Sequence, residues 1–250
     1  MQRDALVAYL DEYLGTHAIQ DHGENGLQIE GVAEISRLAF AVDANQATID
    51  DGVASGAQML IVHHGLFWGK PLMIVGPHRR RVQTLLAAGC SLYAVHLPLD
   101  RHPEVGNNAQ LARLLNLTVT GGFGEVLGST IGVLAAAPPG LTRSQLAATV
   151  QAVLEQPPLV LPGGPDLVQR VGIISGGAAG DIGEAARAGC DTFITGETAH
   201  GHYHDAAEYG INVIYAGHYA SETVGVKALA AHLAAQLGLP GSFIDRPTGL

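Results

Sequence analysis

The feature that most constrains this chain is a regular alternation of short apolar runs with longer segments of helical period. Strand-like runs at 36–42, 58–62, 91–95, 128–135, 169–174, 191–195 and 212–216 are separated by helical stretches at 47–54, 77–88, 108–114, 142–154, 182–188, 202–209 and 221–237. Strands that alternate with helices in this way build a mainly parallel sheet, because each crossover helix returns the chain to the same edge. Ahead of them, Leu6, Leu10, Tyr13 and Leu14 share one helical stripe that ends at Gly15, a natural left-handed terminator. The Pro/Gly cluster at 157–165 reads as a surface connection.

The chain also resembles itself. The segment 88–96 ends in His96 with Asp100 four residues on, and it parallels 209–218, which ends in His218 with Glu222 four residues on. Likewise 55–64, ending in His63-His64, parallels 188–197, ending in Gly196-Glu197. Such self-similarity predicts an α/β fold of two similar halves, residues 1–124 and 125–250.

Composition narrows the function. Thirteen Lys and Arg against 23 Asp and Glu give a net charge of −10, which opposes a general phosphate-binding surface and hence nucleic acid as a partner. The only concentrated basic run is His78, Arg79, Arg80 and Arg81, a candidate contact for an anionic ligand or else a solvated helix face. No apolar stretch approaches the ~18 residues of a membrane helix, and the opening residues lack a signal-peptide layout, so a cytoplasmic location without membrane contact is expected. Cys90 and Cys190 each follow Ala-Gly before a strand and read as small buried apolar residues.

Chemistry concentrates at strand ends. His63-His64 closes one apolar run at a Gly65-containing turn, where open parallel sheets place their sites. Neighbours on a strand point to opposite faces, so the two imidazoles converge only if the backbone leaves the sheet there, a bend that Gly65 permits. Asp100 and Glu222 follow the two matching strands, and His218 stands four residues before Glu222, on the same face if a helix begins at that point. Three imidazoles and two carboxylates suit Zn, Fe, Mn or Co. Five ligands exceed one tetrahedral zinc but serve two divalent ions if a carboxylate bridges them. His96, which matches His218 in the internal repeat, is a candidate sixth ligand, partner of a ligand or proton shuttle, and a role near the metals without direct ligation is expected. Glu197 and His204 are further candidates, whereas His202 reads as helix surface. The run Ser175 to Gly180 lacks the spacing of a phosphate loop and reads as a tight turn, and Gly217-His218-Tyr219-Ala220-Ser221 lacks the pattern of a hydrolase nucleophile elbow.

Five ordered blocks carry a family resemblance: Asn25 to Gly31, Ile61 to Trp68, His96 to Asp100, Gly106 to Asn108 and Gly217 to Glu222. Together they resemble the signature blocks of the NIF-three-like dinuclear metal-centre family, whose members are named homologues of GTP cyclohydrolase I type 2. The resemblance implies that His63, His64, Asp100, His218 and Glu222 hold two divalent metals, with Glu222 bridging. It also implies intertwined α/β halves with mixed sheets, assembled into a homo-hexameric ring. At 250 residues the chain resembles the short form, without the domain that longer relatives carry mid-chain.

Three functions remain open on these grounds. The first is a metal-dependent hydrolase of GTP cyclohydrolase type, acting on a small molecule with a nucleotide or pterin-like ring, in which His96 or Glu197 moves protons and Arg79 to Arg81 hold a triphosphate. The second is a metal carrier or insertase with the same ligands, and the third a metal-stabilised scaffold without catalysis.

Overall fold

The computed structural model describes all 250 residues. In chain order the elements are α1 (Arg3–Leu14), β1 (Gly26–Ile29), β2 (Leu38–Asp43), α2 (Gln46–Ala54), β3 (Met59–His64), α3 (Gly76–Ala88), β4 (Ser91–Ala94), α4 (Leu97–Asp100) and α5 (Asn107–Leu114). They continue with β5 (Thr118–Val126), β6 (Ser129–Ala136), α6 (Arg143–Leu154), β7 (Leu159–Pro162), β8 (Arg170–Ile173), α7 (Ile182–Arg187), β9 (Thr192–Thr195), α8 (Asp205–Glu208), β10 (Asn212–Tyr215), α9 (His218–Leu237) and β11 (Gly241–Phe243). Local chemistry sets several boundaries. Asn45 Oδ1 accepts the Thr48 amide at the start of α2, Thr142 and Gln145 form a reciprocal capping box on α6, and Gly15 and Gly89 end α1 and α3 in the left-handed conformation. No helix is long and apolar enough to cross a membrane.

The chain forms two compact units, one of Met1–Leu99 with Val226–Arg246 and one of Asp100–Gly225 with Pro247–Leu250. The sequence repeat places the division at 124/125 instead. The end of the chain returns to the first unit, where β11 pairs in parallel with β2.

In the first unit five strands run in the order β1-β4-β3-β2-β11, parallel throughout except for β1. Ala39, Leu60, Val62 and Leu92 face Ile49 of α2 and Leu85 of α3 in one buried cluster. The alternate residues Phe40, Ile61 and Tyr93 are buried as well, so the central strands are apolar on both faces, as parallel strands require.

The second unit has six strands in the order β5-β6-β8-β9-β10-β7, in which only the β8-β9-β10 core is parallel. Successive residues serve opposite faces: Ile194 and Ile214 pack with Leu146 and Val150 of α6, while Phe193 and Val213 pack with Ile182 and Ala206. This sheet is mixed, with three antiparallel pairs against two parallel ones.

All seven strands and all but one of the helices read from periodicity are present, most within two residues of the expected bounds. Four strands were not foreseen: β1, β5, β7 and β11. Of these, β7 lies inside the Pro/Gly segment expected to be a plain connection, where it pairs antiparallel with β10. The helix expected at 202–209 is a 3-10 turn, His200–His202, followed by the short α8.

Candidate metal centre

The first unit gathers three imidazoles at the carboxyl ends of its parallel strands. His63 and His64 are the last residues of β3, and His96 lies two residues beyond β4. One ligand atom from each of the three falls within 4.8 Å of the others. The backbone does not leave the sheet before His64, as expected from sequence, because His64 still pairs with Asp43 of β2. The two rings nevertheless come to 4.6 Å between centroids. Gly65 is required for a different reason from a bend: a Cβ there would stand 2.4 Å from Gln28 Nε2 and 2.6 Å from Ala94 Cβ.

Each imidazole is aimed by an oxygen acceptor on Nδ1. His63 donates to Val95 O at 3.0 Å, His64 to Asp43 Oδ1 at 2.9 Å and His96 to Asp21 Oδ1 at 2.7 Å. This pattern favours the tautomer with the proton on Nδ1, so that Nε2 is the nitrogen that could ligate a metal, an arrangement that metal-binding histidines use. Asp21 also accepts from Asn25 Nδ2, Leu97 N and Gly23 N. Burial alone would raise its carboxyl, but the hydrogen bond and charge of His96, with Asn25 and Gly23, hold it well below the usual carboxylate range. Asn25 in turn accepts the His96 amide at 2.7 Å, so one turn-rich loop fixes both the backbone and the ring of His96.

The second unit gathers carboxylates and one imidazole, again beyond the ends of its parallel strands. His218 opens α9, and its Nε2 meets Glu222 Oε1 at 3.1 Å one helical turn on, while Nδ1 meets Glu197 Oε2 at 2.9 Å. The hydrogen bond to Glu222 is the largest influence on His218; burial opposes it, and the Glu222 charge and Glu197 add to it, raising the imidazole to about 9. Asp100 and Glu222 are both buried. Asp100 Oδ1 accepts from Asn107 Nδ2 at 2.8 Å and from Ser175 Oγ at 3.0 Å.

The turn after β8 organises this group. Ser175 touches Asp100, Gly176 lies against Glu222 and Gly177 against Glu197. Gly176 has φ +68° and a Cβ on it would stand 2.3 Å from Glu222 Oε1, so glycine is needed for both conformation and space. The turn is anchored by Gly176 N on Ser221 Oγ and by Gly196 N and Glu197 N on Gly176 O. Sequence reading took this run for a tight turn only.

Within the first unit the expected residues His63, His64 and His96 are therefore together, and within the second so are His218, Glu222 and Glu197, with Asp100 held by Ser175 of the same turn. His204 is exposed beside the ring of Tyr203, and His202 pairs with Asp205 on the surface as expected. Of the arginine run, Arg79 and Arg80 are exposed and Arg81 is half-buried. Asp21, Asp43 and Ser175 were missed from sequence. A signal existed for Asp43, which closes β2 as His64 closes β3. Oriented imidazoles with buried carboxylates fit a first-row divalent metal, hard to borderline in character.

Comparison with known proteins agrees over the whole chain. A family described as Duf34/NIF3 (NGG1p interacting factor 3) matches residues 1–247. A protein of Deinococcus radiodurans named GTP cyclohydrolase 1 type 2 homolog is 49% identical, with 99% of this chain and 94% of the relative covered. The crystal structure of TTHA1606 from Thermus thermophilus is similar with TM-score 0.91 at 47% identity, all of both chains being covered. The solved structure of protein ybgI, described as of unknown function, gives TM-score 0.94 at 40% identity with full coverage of both chains. The chain belongs to the Duf34/NIF3 family.

Proposed function

We propose that the chain is a dinuclear metalloprotein, with His63 and His64 in the first unit and Asp100, His218 and Glu222 in the second as ligands for two divalent ions, and that it hydrolyses a nucleotide or pterin-like ring. The observation that carries this reading is the set of three convergent imidazoles in the first unit, each with Nδ1 tied to an oxygen. A structural role would not require such convergence; His63 and His64 would ligate and His96 would stand beside them, each ring held by its Nδ1 hydrogen bond. The names of relatives, GTP cyclohydrolase 1 type 2 homolog, support a guanine nucleotide as the first substrate to try.

When bound, two such ions supply Lewis acidity and make water nucleophilic near neutral pH. The chain's own residues do the rest. Asp21 holds His96 with Nε2 turned away from the donor side, ready to accept a proton from water that adds to an electrophilic ring carbon. The proton taken up by His96 would then go to the opening ring nitrogen, with Glu197, exposed and paired with His218, as the alternative carrier of that proton. The site-bearing chains are expected to assemble as homo-hexamers.

The test is metal content per chain by elemental mass spectrometry on protein purified without chelator, beside Glu222→Gln, followed by a GTP and pterin panel read for ring opening. About two ions per chain, a sharp fall in the variant and turnover by wild type support the proposal. Absence of stoichiometric metal after reconstitution overturns it. Metal without turnover, exchanging with chelator within minutes, transfers the assignment to a carrier.

A further inference from the structure

Beside His64 the first unit has a cleft of about 360 Å³, whose Asn45 and Trp68 none of the roles above uses. Its walls include Asp43, Asn45, His64, Trp68 and Arg81. That volume lies in the range of small-molecule sites, which are largely preformed and present few polar groups.

The chemistry of the walls is specific. Arg81 Nε is buried without a hydrogen-bond partner. A guanidinium nitrogen in that condition forfeits desolvation free energy that only an acceptor restores, and the planar fork matches the oxygens of a phosphate. Trp68 is the only large aromatic on the cleft and is 42% exposed. Its indole is pinned by Nε1 to Gly65 O at 3.1 Å and by edge contact with the His96 ring at 5.1 Å, so the ring is held in place with a surface still open to water. Asn45 spends Oδ1 on the Thr48 amide, leaving its NH2 as a donor, and Asp43 Oδ1 is taken by His64, leaving Oδ2 as an acceptor. The helices that supply these residues carry further buried polar atoms without partners, Gln46 Oε1 on α2 and both ring nitrogens of His78 on α3. A purely apolar occupant would leave Arg81 Nε unsatisfied, and an inorganic anion would leave the indole bare.

We propose that this cleft binds a heteroaromatic ring carrying a phosphate, with the ring stacked on Trp68 and the phosphate on Arg81. Asp43 suits a ring that offers N–H donors, as guanine and pterins do. The inference deepens the metal-dependent hydrolase reading by placing its substrate next to His64, but it concerns binding and does not require the ions.

The full chain contains a single tryptophan, so its emission reports on the surroundings of Trp68, this cleft and the adjoining His64 and His96 rings. The experiment is titration of chelator-treated protein with guanosine 5′-monophosphate, guanosine and inorganic phosphate, followed by Trp68 fluorescence. Saturable quenching by the nucleotide is expected, with guanosine at least about tenfold weaker because it lacks the charge-assisted contact. Arg81→Gln should lower the nucleotide affinity by about tenfold or more while leaving guanosine unchanged, and Arg113→Gln, at an exposed arginine outside the cleft, should change neither. If Arg81→Gln does not fold, Arg81→Lys keeps the charge without the fork and should show a smaller loss in the same direction. No saturable quenching, equal affinity for nucleotide and guanosine, or equal affinity in wild type and a folded Arg81 variant would each overturn the inference. Because no metal is present, failure of the dinuclear assignment shows only in metal content and failure of this cleft only in the quenching.

Discussion

Replacing Gly176 with alanine separates two costs that usually arrive together. The backbone at Gly176 has φ +68°, and placing an L residue there costs roughly 1–2 kcal/mol. The added Cβ would also stand 2.3 Å from Glu222 Oε1 and 3.3 Å from His218 Nε2. The nearer atom is the far end of a flexible side chain, so the carboxylate moves rather than the backbone. Gly128 is the control: its φ is +79° and nothing lies within 4 Å of the Cβ position, so Gly128→Ala carries the conformational cost alone. In urea denaturation of metal-free protein both variants should therefore lose ~1–2 kcal/mol. In competition with a chromogenic chelator only Gly176→Ala should lose metal affinity, by about 10–100-fold, the usual cost of disturbing the groups that orient a ligand. Wild-type metal affinity in a folded Gly176→Ala protein would refute the argument that this turn sets the Glu222 carboxylate.

Other perturbations probe separate parts of the structure. Asp21→Asn replaces the acceptor that aims His96, and ring-opening turnover should fall by about 10–100-fold with metal content unchanged, as elemental analysis would check. Gly31→Ala forces a Cβ to 2.2 Å from Gly89 O and 2.6 Å from Ser91 N, both backbone atoms, so thermal unfolding should show a loss of roughly 1–3 kcal/mol or more without any effect specific to metal. Stripping the ions with chelator should lower the melting temperature, since a ligand bound only to the folded state at a hundred times its dissociation constant contributes ~2.7 kcal/mol; an unchanged melting curve would count against stoichiometric binding. Size-exclusion chromatography with light scattering should give about six chains per particle, and a monomer would remove the hexameric expectation.

What the sequence made legible was set by local signals. The central strands announced themselves because β2, β3, β4, β9 and β10 are buried on both faces and each carries a consecutive run of two or more large apolar or aromatic residues or alanine. The missed strands are interrupted or short: β5 carries Gly121, Gly122 and Gly124, β7 sits between Pro158 and a terminal Pro162, and β1 and β11 are short edge strands. Each is a strand because a neighbour already in the sheet offers it a ladder, a tertiary cause that no local window contains. The imidazoles were visible for the same local reason, as histidines that close apolar runs. The groups that hold the site residues were not, because Asp21 meets His96 across 75 residues and the Ser175 hydroxyl meets Asp100 across as many. Arg81 was visible only as one of three adjacent arginines, and only the α3 register separates the half-buried member from the two in solvent.

The late return of the chain to its first sheet has a consequence for synthesis. β2 has its outer neighbour only when Gly241–Phe243 pair with it, together with Ile244 N on Phe40 O, about two hundred residues after β2 itself is made. Until then Leu38–Asp43 presents a bare apolar edge, the kind of surface on which nascent chains pair with one another. The second unit is drawn almost wholly from the intervening stretch and can settle while the first still waits for its last strand. Translation thus leaves the imidazole-bearing unit as the last to close, and it is this unit, more than the carboxylate-bearing one, whose yield should depend on chaperones and on the pace of the ribosome near the end of the message.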